Sequence, residues 1–431
     1  MPGADGPTRE ANLSYREVLR SNPRVAGLLL GDLLANVGTG MILVAMPVQA
    51  LSIHGSVPKA IAIAMVEAAP FVLSTIVALA IGLGRVRVPP RTLLLADCVL
   101  RSLTLAGLGL LAVAQRLSLP VLIVGLLLGA TFRMAGSSSR RLLATSMAGV
   151  SGRFAVNGLL GLNATFALYI VGPVLGGLIV ASTSAGAALL FDAGGALILL
   201  TAVLASVPRV VKPRDEVRRS PSRESGWRIL HRHPVAARLL LVVFFFNFFY
   251  MPIEVALPLF VRGTLDADAS GLGLMWGALG VGAFVGAALV TQLRNLPQRH
   301  LLIAIIALWA LCPMALAFTE SLTAAMIVTG LGGLVWAPFT PVAYSFLQSG
   351  LASHEQQQVV TLWTTGWMVA APLGLMVGGP LIELAGTTGG LVLSGGLTLL
   401  LVPIAALAVL PRSNITVHAT FLQTTNGRGH R

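Results

Sequence analysis

Acidic side chains stand inside apolar segments of this chain, where an ionised group costs about 2.5–3.5 kcal/mol on insertion. A carboxyl held away from water can keep its proton near neutral pH, so it can bind and release protons or hold a cation. Asp32 and Asn36, in "GDLLAN", lie one helical turn apart and are candidates for carrying a proton or a cation. Glu67 stands three residues before Pro70, and Glu254 borders "VALP" with Asn247 two turns earlier; both acids suit a proton or a cationic ligand. Asp97 and Arg101, in "DCVLR", have i,i+4 spacing and are expected to form an intramembrane ion pair with each other. Asp192 is expected to cap or pack near the end of its segment.

No catalytic constellation accompanies these groups. H-E-x-x-H, phosphate-loop and G-x-S-x-G patterns are missing, and the seven histidines are scattered. The expectation is therefore no enzyme activity, no metal and no cofactor. The net charge of +13 does not indicate a nucleic-acid partner, because the basic residues fall in short loops between apolar runs.

The elements that must position these residues are membrane helices. The chain is 55% hydrophobic and 10% charged, against about 25% charge in soluble domains. Spanning a bilayer takes about 20 apolar residues. Twelve such runs lie near 25–52, 59–84, 92–115, 118–137, 154–181, 186–207, 237–262, 269–293, 300–318, 322–348, 357–384 and 388–411. The predicted fold is an all-α polytopic membrane protein of two six-helix halves, 25–207 and 237–411. A polar N-terminal segment (1–24), a charged linker (208–236) and a tail (412–431) complete it. Twenty-four of the 29 Lys and Arg residues fall on one side if the N-terminus is cytoplasmic, and three on the other. The expectation is a multi-pass plasma (inner) membrane protein with both termini cytoplasmic.

The halves echo each other. "VAMP" (44–47) matches "VALP" (255–258) at an offset of 211, as Asn36 matches Asn247, and "GPVLGG" (172–177) aligns with "GLMVGG" (374–379). Small residues let membrane helices approach closely. Gly172, Gly176 and Gly177, with Pro173 to bend the helix, and Gly374, Gly378 and Gly379 are thus expected to form a conformational seam between the halves, the two faces meeting.

With these motifs the chain resembles the major facilitator superfamily, closest to its twelve-span drug/proton antiporters, the group with macrolide and enterobactin exporters. "GPVLGG" is similar to the antiporter motif of the fifth span. "RRLLATSMAGVSGRFAVNGLLGL" (140–162), "FDAGGALILL" (191–200) and the 257–289 region are similar to other segments of that group. The hallmark loop G-x-x-x-D-R-x-G-R-R is matched by "AIGLGRVRVPPR" (80–91), with Gly84 at the aspartate position; Gly125 takes the place of the fourth-span arginine. The resemblance implies a monomeric secondary transporter in the lipid bilayer. It would export a small hydrophobic or amphipathic compound by alternating access, in exchange for protons, with Arg85, Arg91, Arg140 and Arg141 as a cytoplasmic gate. A dedicated exporter of one natural product, such as a siderophore or a self-made antibiotic, and a non-transporting sensor of the same fold stay open as alternatives.

Overall fold

A backbone surrounded by lipid must satisfy its own hydrogen bonds, and a helix does so within a single segment. The structure, a computed structural model, describes residues 13–82, 85–86, 88–208, 226–293 and 296–409. Gly84 and Arg87 of the hallmark loop, most of the linker and the tail lie outside the described residues. Eleven helices among the described residues are long and apolar enough to cross a membrane. The first ten are α1 (Pro23–Ile53), α2 (Lys59–Gly82), α3 (Pro90–Val113), α4 (Leu119–Met147), α5 (Gly149–Ser182), α6 (Ala185–Ser206), α7 (Pro234–Gly263), α8 (Ala269–Leu293), α9 (Gln298–Leu316) and α10 (Leu322–Ser349). The last, Ser353–Val409, has 57 residues, which at 1.5 Å per residue is more than twice a hydrocarbon core of about 30 Å. It crosses twice. At Gly386 the backbone turns to φ 72°, ψ 170°, a conformation that side chains exclude, and so separates α11 (353–385) from α12 (387–409).

One span runs on well past the end expected for it. The fourth breaks at 130–132 and continues as the helix Arg133–Met147, so Arg140 and Arg141 sit on a helix rather than in a loop. The tenth is broken in the same way at 337–338 and ends with the helix Phe339–Ser349, at its expected end. The start of α1, the end of α12, the ends of α6 and α7 that flank the linker, and the neighbouring ends of α2 and α3 and of α4 and α5 share one face, called here the arginine-rich face; the 1–2, 5–6, 7–8 and 11–12 turns share the distal face.

Proline and glycine cooperate inside the bundle. Pro173 has no N–H to offer the carbonyl of Tyr169, and the helix before it, Ala164–Val171, is a π-helix. Gly280 of α8 lies directly against that freed carbonyl. The same arrangement recurs in the other half: Pro252 frees the carbonyl of Phe248, and Gly374 of α11 lies against it.

Candidate functional site

The glycine faces of α5 and α11 do not meet each other. Gly172 and Gly176 face α1, where an added methyl would stand 2.6 Å from Gly40 Cα and from Met41 Cα. Gly177, on the flank, faces α8: a methyl there would be 2.6 Å from Ala269 O and 3.1 Å from Gly273 Cα. In the other half, Gly374 and Gly378 face α7, and Gly379 faces α2, 2.8 Å from Ala64 Cβ by the same measure. Each strip thus serves two neighbours, its own half's first helix and the partner half's second. The main contacts between halves are therefore α5–α8 and α11–α2, with smaller ones of α7 to α1 and α2 and of α8 to α1, and Gly177 and Gly379 place the main pair at the distal face. Toward the arginine-rich face, the outer parts of α4 and α5 (Arg133–Met147 and Gly149–Asn163) make their main packing contacts within the N-terminal half. Among the described residues, none of their larger packing contacts crosses to the C-terminal half.

An ionic cluster fills the N-terminal half. Asp32 is 1% exposed and pairs with Arg140 of α4, Oδ1 to Nε 2.8 Å. Asn36 donates to the same oxygen at 3.2 Å, and Asn163 of α5 donates to the other at 3.3 Å. Arg101 forms an ion pair with Asp192 of α6, with Nε to Oδ2 at 3.3 Å, and donates to Thr39 Oγ1 and to Ala35 O of α1. The Asp97–Arg101 pair expected from i,i+4 spacing is not formed. The guanidinium reaches across three helices instead, and Asp97 Oδ1 is left without a hydrogen bond. Asp192 is therefore an ion-pair partner and not a cap. Asp32, Asn36, Thr39, Asp97, Arg101 and Arg140, with Arg133, border a cavity of about 200 Å³ that also reaches Arg141.

Arg133 escaped the sequence reading of the site. It stands at the α4 break with its Cζ 5.7 Å from the Phe71 ring centre. The signal available was its own position, an arginine amid the apolar fourth span. The remaining gate candidates stay in their own half: Arg91 Nε donates to Val207 O at 3.2 Å, and Arg85 is exposed.

Where the halves meet, the chemistry changes. Glu67 of α2 and Glu254 of α7 come close enough to repel each other, Glu67 Oε2 is buried without a hydrogen bond, and the Tyr250 hydroxyl interacts with Glu254. Tyr169 of α5 packs edge-on against Trp336 of α10 at 6.5 Å, and Trp336 stacks with Tyr250 at 6.1 Å. The acids thus adjoin an aromatic bridge between the two halves. Asn247 lies apart from them: it is buried and donates to Trp367 O at 3.2 Å. Beside that bond an apolar cleft of about 410 Å³ opens between the helix Gly226–Arg232, α7 and α11. A clasp that no sequence motif announced ties the start of α11 to the end of the helix Gly226–Arg232 and to the residue after it, Glu355 to Arg232 at 3.0 Å and to His233 at 3.1 Å. Groups of His, Cys, Asp and Glu able to hold a metal are not found among the described residues.

The comparisons agree with this architecture. The "transmembrane secretion effector" family matches residues 22–420. The multidrug efflux pump Tap of Mycolicibacterium fortuitum is 28% identical over 378 residues, covering 83% of this chain and 89% of that protein. Tap of Mycobacterium bovis is 29% identical over 373 residues, covering 83% and 87%. Among solved structures, the nucleoside transporter NupG superposes with a TM-score of 0.74 at 11% identity, over 89% of this chain and 99% of that one. A bacterial homologue of the human lysosomal transporter Spinster, in an inward-facing and unoccupied conformation, gives 0.64 at 16% identity, over 90% and 95%. The chain belongs to the transmembrane secretion effector family, within the major facilitator superfamily of membrane transporters.

Proposed function

We propose that this protein exports a small hydrophobic or amphipathic, drug-like compound by rocking the halves 25–207 and 237–411 about their shared contacts, in exchange for protons. The observation that carries the reading is the asymmetry of those contacts: α5–α8 and α11–α2 are packed closely at Gly177 and Gly379 at the distal face, while toward the arginine-rich face the outer parts of α4 and α5 pack mainly within their own half. With the arginine-rich face and both termini in the cytoplasm, this is the state that loads from inside. The similarity to multidrug efflux pumps Tap supports export of drug-like cargo.

The residues take roles from where they stand. The Tyr169–Trp336–Tyr250 bridge offers flat apolar surface between the halves, and Glu67 and Glu254 beside it suit a proton or the positive end of an amphiphile. Asp32, saturated by Arg140, Asn36 and Asn163, ties α1, α4 and α5 together as one moving unit. The chain works as a monomer, since each half provides its own partner across the seam.

Uptake of ethidium, a fluorescent lipophilic cation, into inverted vesicles with an acid interior tests this. The expected result is uptake that stops when the pH gradient is collapsed and is lost in Glu254→Gln. Uptake that persists unchanged in both conditions would rule out proton exchange while leaving export in place.

A further inference from the structure

Among the acids of the ionic cluster (Asp32, Asp97 and Asp192), Asp97 is the one left over. Two arginines are already engaged: Arg140 by Asp32, and Arg101 by Asp192, Thr39 and the Ala35 carbonyl. A third, Arg133, stands over Phe71. Asp97 is 6% exposed, its Oδ1 has no hydrogen bond, and its other oxygen is pressed against α4, 2.6 Å from where a methyl on Gly136 would be. An ionised carboxylate with an unsatisfied oxygen away from water is costly, whereas the neutral acid is not. The groups facing it are Arg101 and Cys98 on its own helix, Arg133 and Arg140 on α4, and Asp192 on α6; Asp32 of α1 and Arg141 of α4 border the same cavity of about 200 Å³.

Arg101 has a second acid within reach. Asp97 stands four residues before it on α3, the spacing at which helical side chains meet. We infer that Asp97 is a proton-binding site of the transport cycle, exchanging with Asp192 for the guanidinium of Arg101. In the state described here Asp97 holds the proton and Arg101 binds Asp192. When the Asp97 O–H bond breaks, its proton passes to water in the cavity. Arg101 then turns back along its own helix to the new carboxylate, leaving Thr39 and Ala35 and passing Asp192 to Arg133, which borders the same small cavity. Those three links join α3 to α6 and α1, so loss of the proton loosens the packing of the half that must move. This rests on the transporter reading above and adds to it the place where the proton sits and the helices it releases.

The test uses the full-length protein in lipid and two readouts. Infrared difference spectra recorded on raising the pH should show the loss of a protonated carboxyl band that is absent in Asp97→Asn and retained, with a shifted midpoint, in Asp97→Glu. Arg101→Lys, with a shorter and non-planar cation, should also shift the midpoint. Acid-driven ethidium uptake into inverted vesicles should fall to the background of empty vesicles in Asp97→Asn, while ethidium counterflow without a pH gradient persists. A wild-type spectrum lacking the band, or one unchanged by Asp97→Asn, would overturn the inference. If the wild type moves no ethidium, the transport reading fails for that probe, and the spectra still decide the fate of Asp97.

Discussion

The two halves share one fold and fill it with different chemistry. At the repeat offset of 211, the buried acid Asp32 of α1 corresponds to the buried aliphatic Val243 of α7, and Glu254 of α7 corresponds to Leu43 of α1. The N-terminal half joins its helices by charge: α1 to α4 through Asp32 and Arg140, α3 to α6 through Arg101 and Asp192. The C-terminal half joins them by rings. Phe246 stacks on Phe339 at 4.0 Å and leans on Trp309 at 6.5 Å, and Tyr250 meets Trp309 at 5.4 Å. Pairwise charge is directional and responds to protons, whereas ring packing is adaptable and blind to pH. One half is suited to sense the driving ion, the other to accept cargo of variable shape.

The comparison is broken most easily at Arg101. Replacing it with Leu strands Asp192, and equilibrium unfolding in mixed micelles should show a loss of about 3–5 kcal/mol. The double change Arg101→Leu with Asp192→Leu should recover much of that, because no buried charge is then left alone. If the single change costs no more than its ring counterpart in the other half, the contrast fails. That counterpart, Phe246→Leu, keeps an apolar side chain and should cost about 1–1.5 kcal/mol in the same assay. The smallest effect is expected at the clasp. Backbone and side-chain hydrogen bonds from Ala352 and His233, with the charge of Arg232, outweigh burial and hold the Glu355 carboxyl below its ordinary range. A lowered value means the stabilisation is full at neutral pH and is lost only as the pH falls through the acid carboxylate range. Glu355→Gln should cost under about 1 kcal/mol at pH 7, and the difference from wild type should vanish in strong acid. A constant difference at all pH values would show that the clasp acts through packing and not through charge.

The long helices were legible because the cue is local: an apolar run of sufficient length has few other uses. The partners were not. Four-residue spacing says that Asp97 and Arg101 can meet, but not that Asp192, Thr39 and Ala35 from two other helices compete for the same guanidinium. Periodicity likewise gathers Gly172, Gly176 and Gly177 onto one side of a helix without saying which neighbours lie against it, and here there are two. Arg140 was assigned to a loop because the small polar run Gly136–Ser137–Ser138–Ser139 reads as the end of an apolar span; the helix continues through it and carries the arginine inward. Glu355 left only a faint trace, a glutamate three residues after Ala352 at a helix start, whose backbone N–H it accepts at 3.2 Å.

The central claim is that the halves seal and unseal at α5–α8 and α11–α2. Cysteines at Val174 and Gly277, and at Gly379 and Ile61, lie across those two contacts, close enough to bridge. Ethidium transport should stop when either pair is oxidised and return when it is reduced. Full-rate transport through a protein shown to be cross-linked at both contacts would contradict the account.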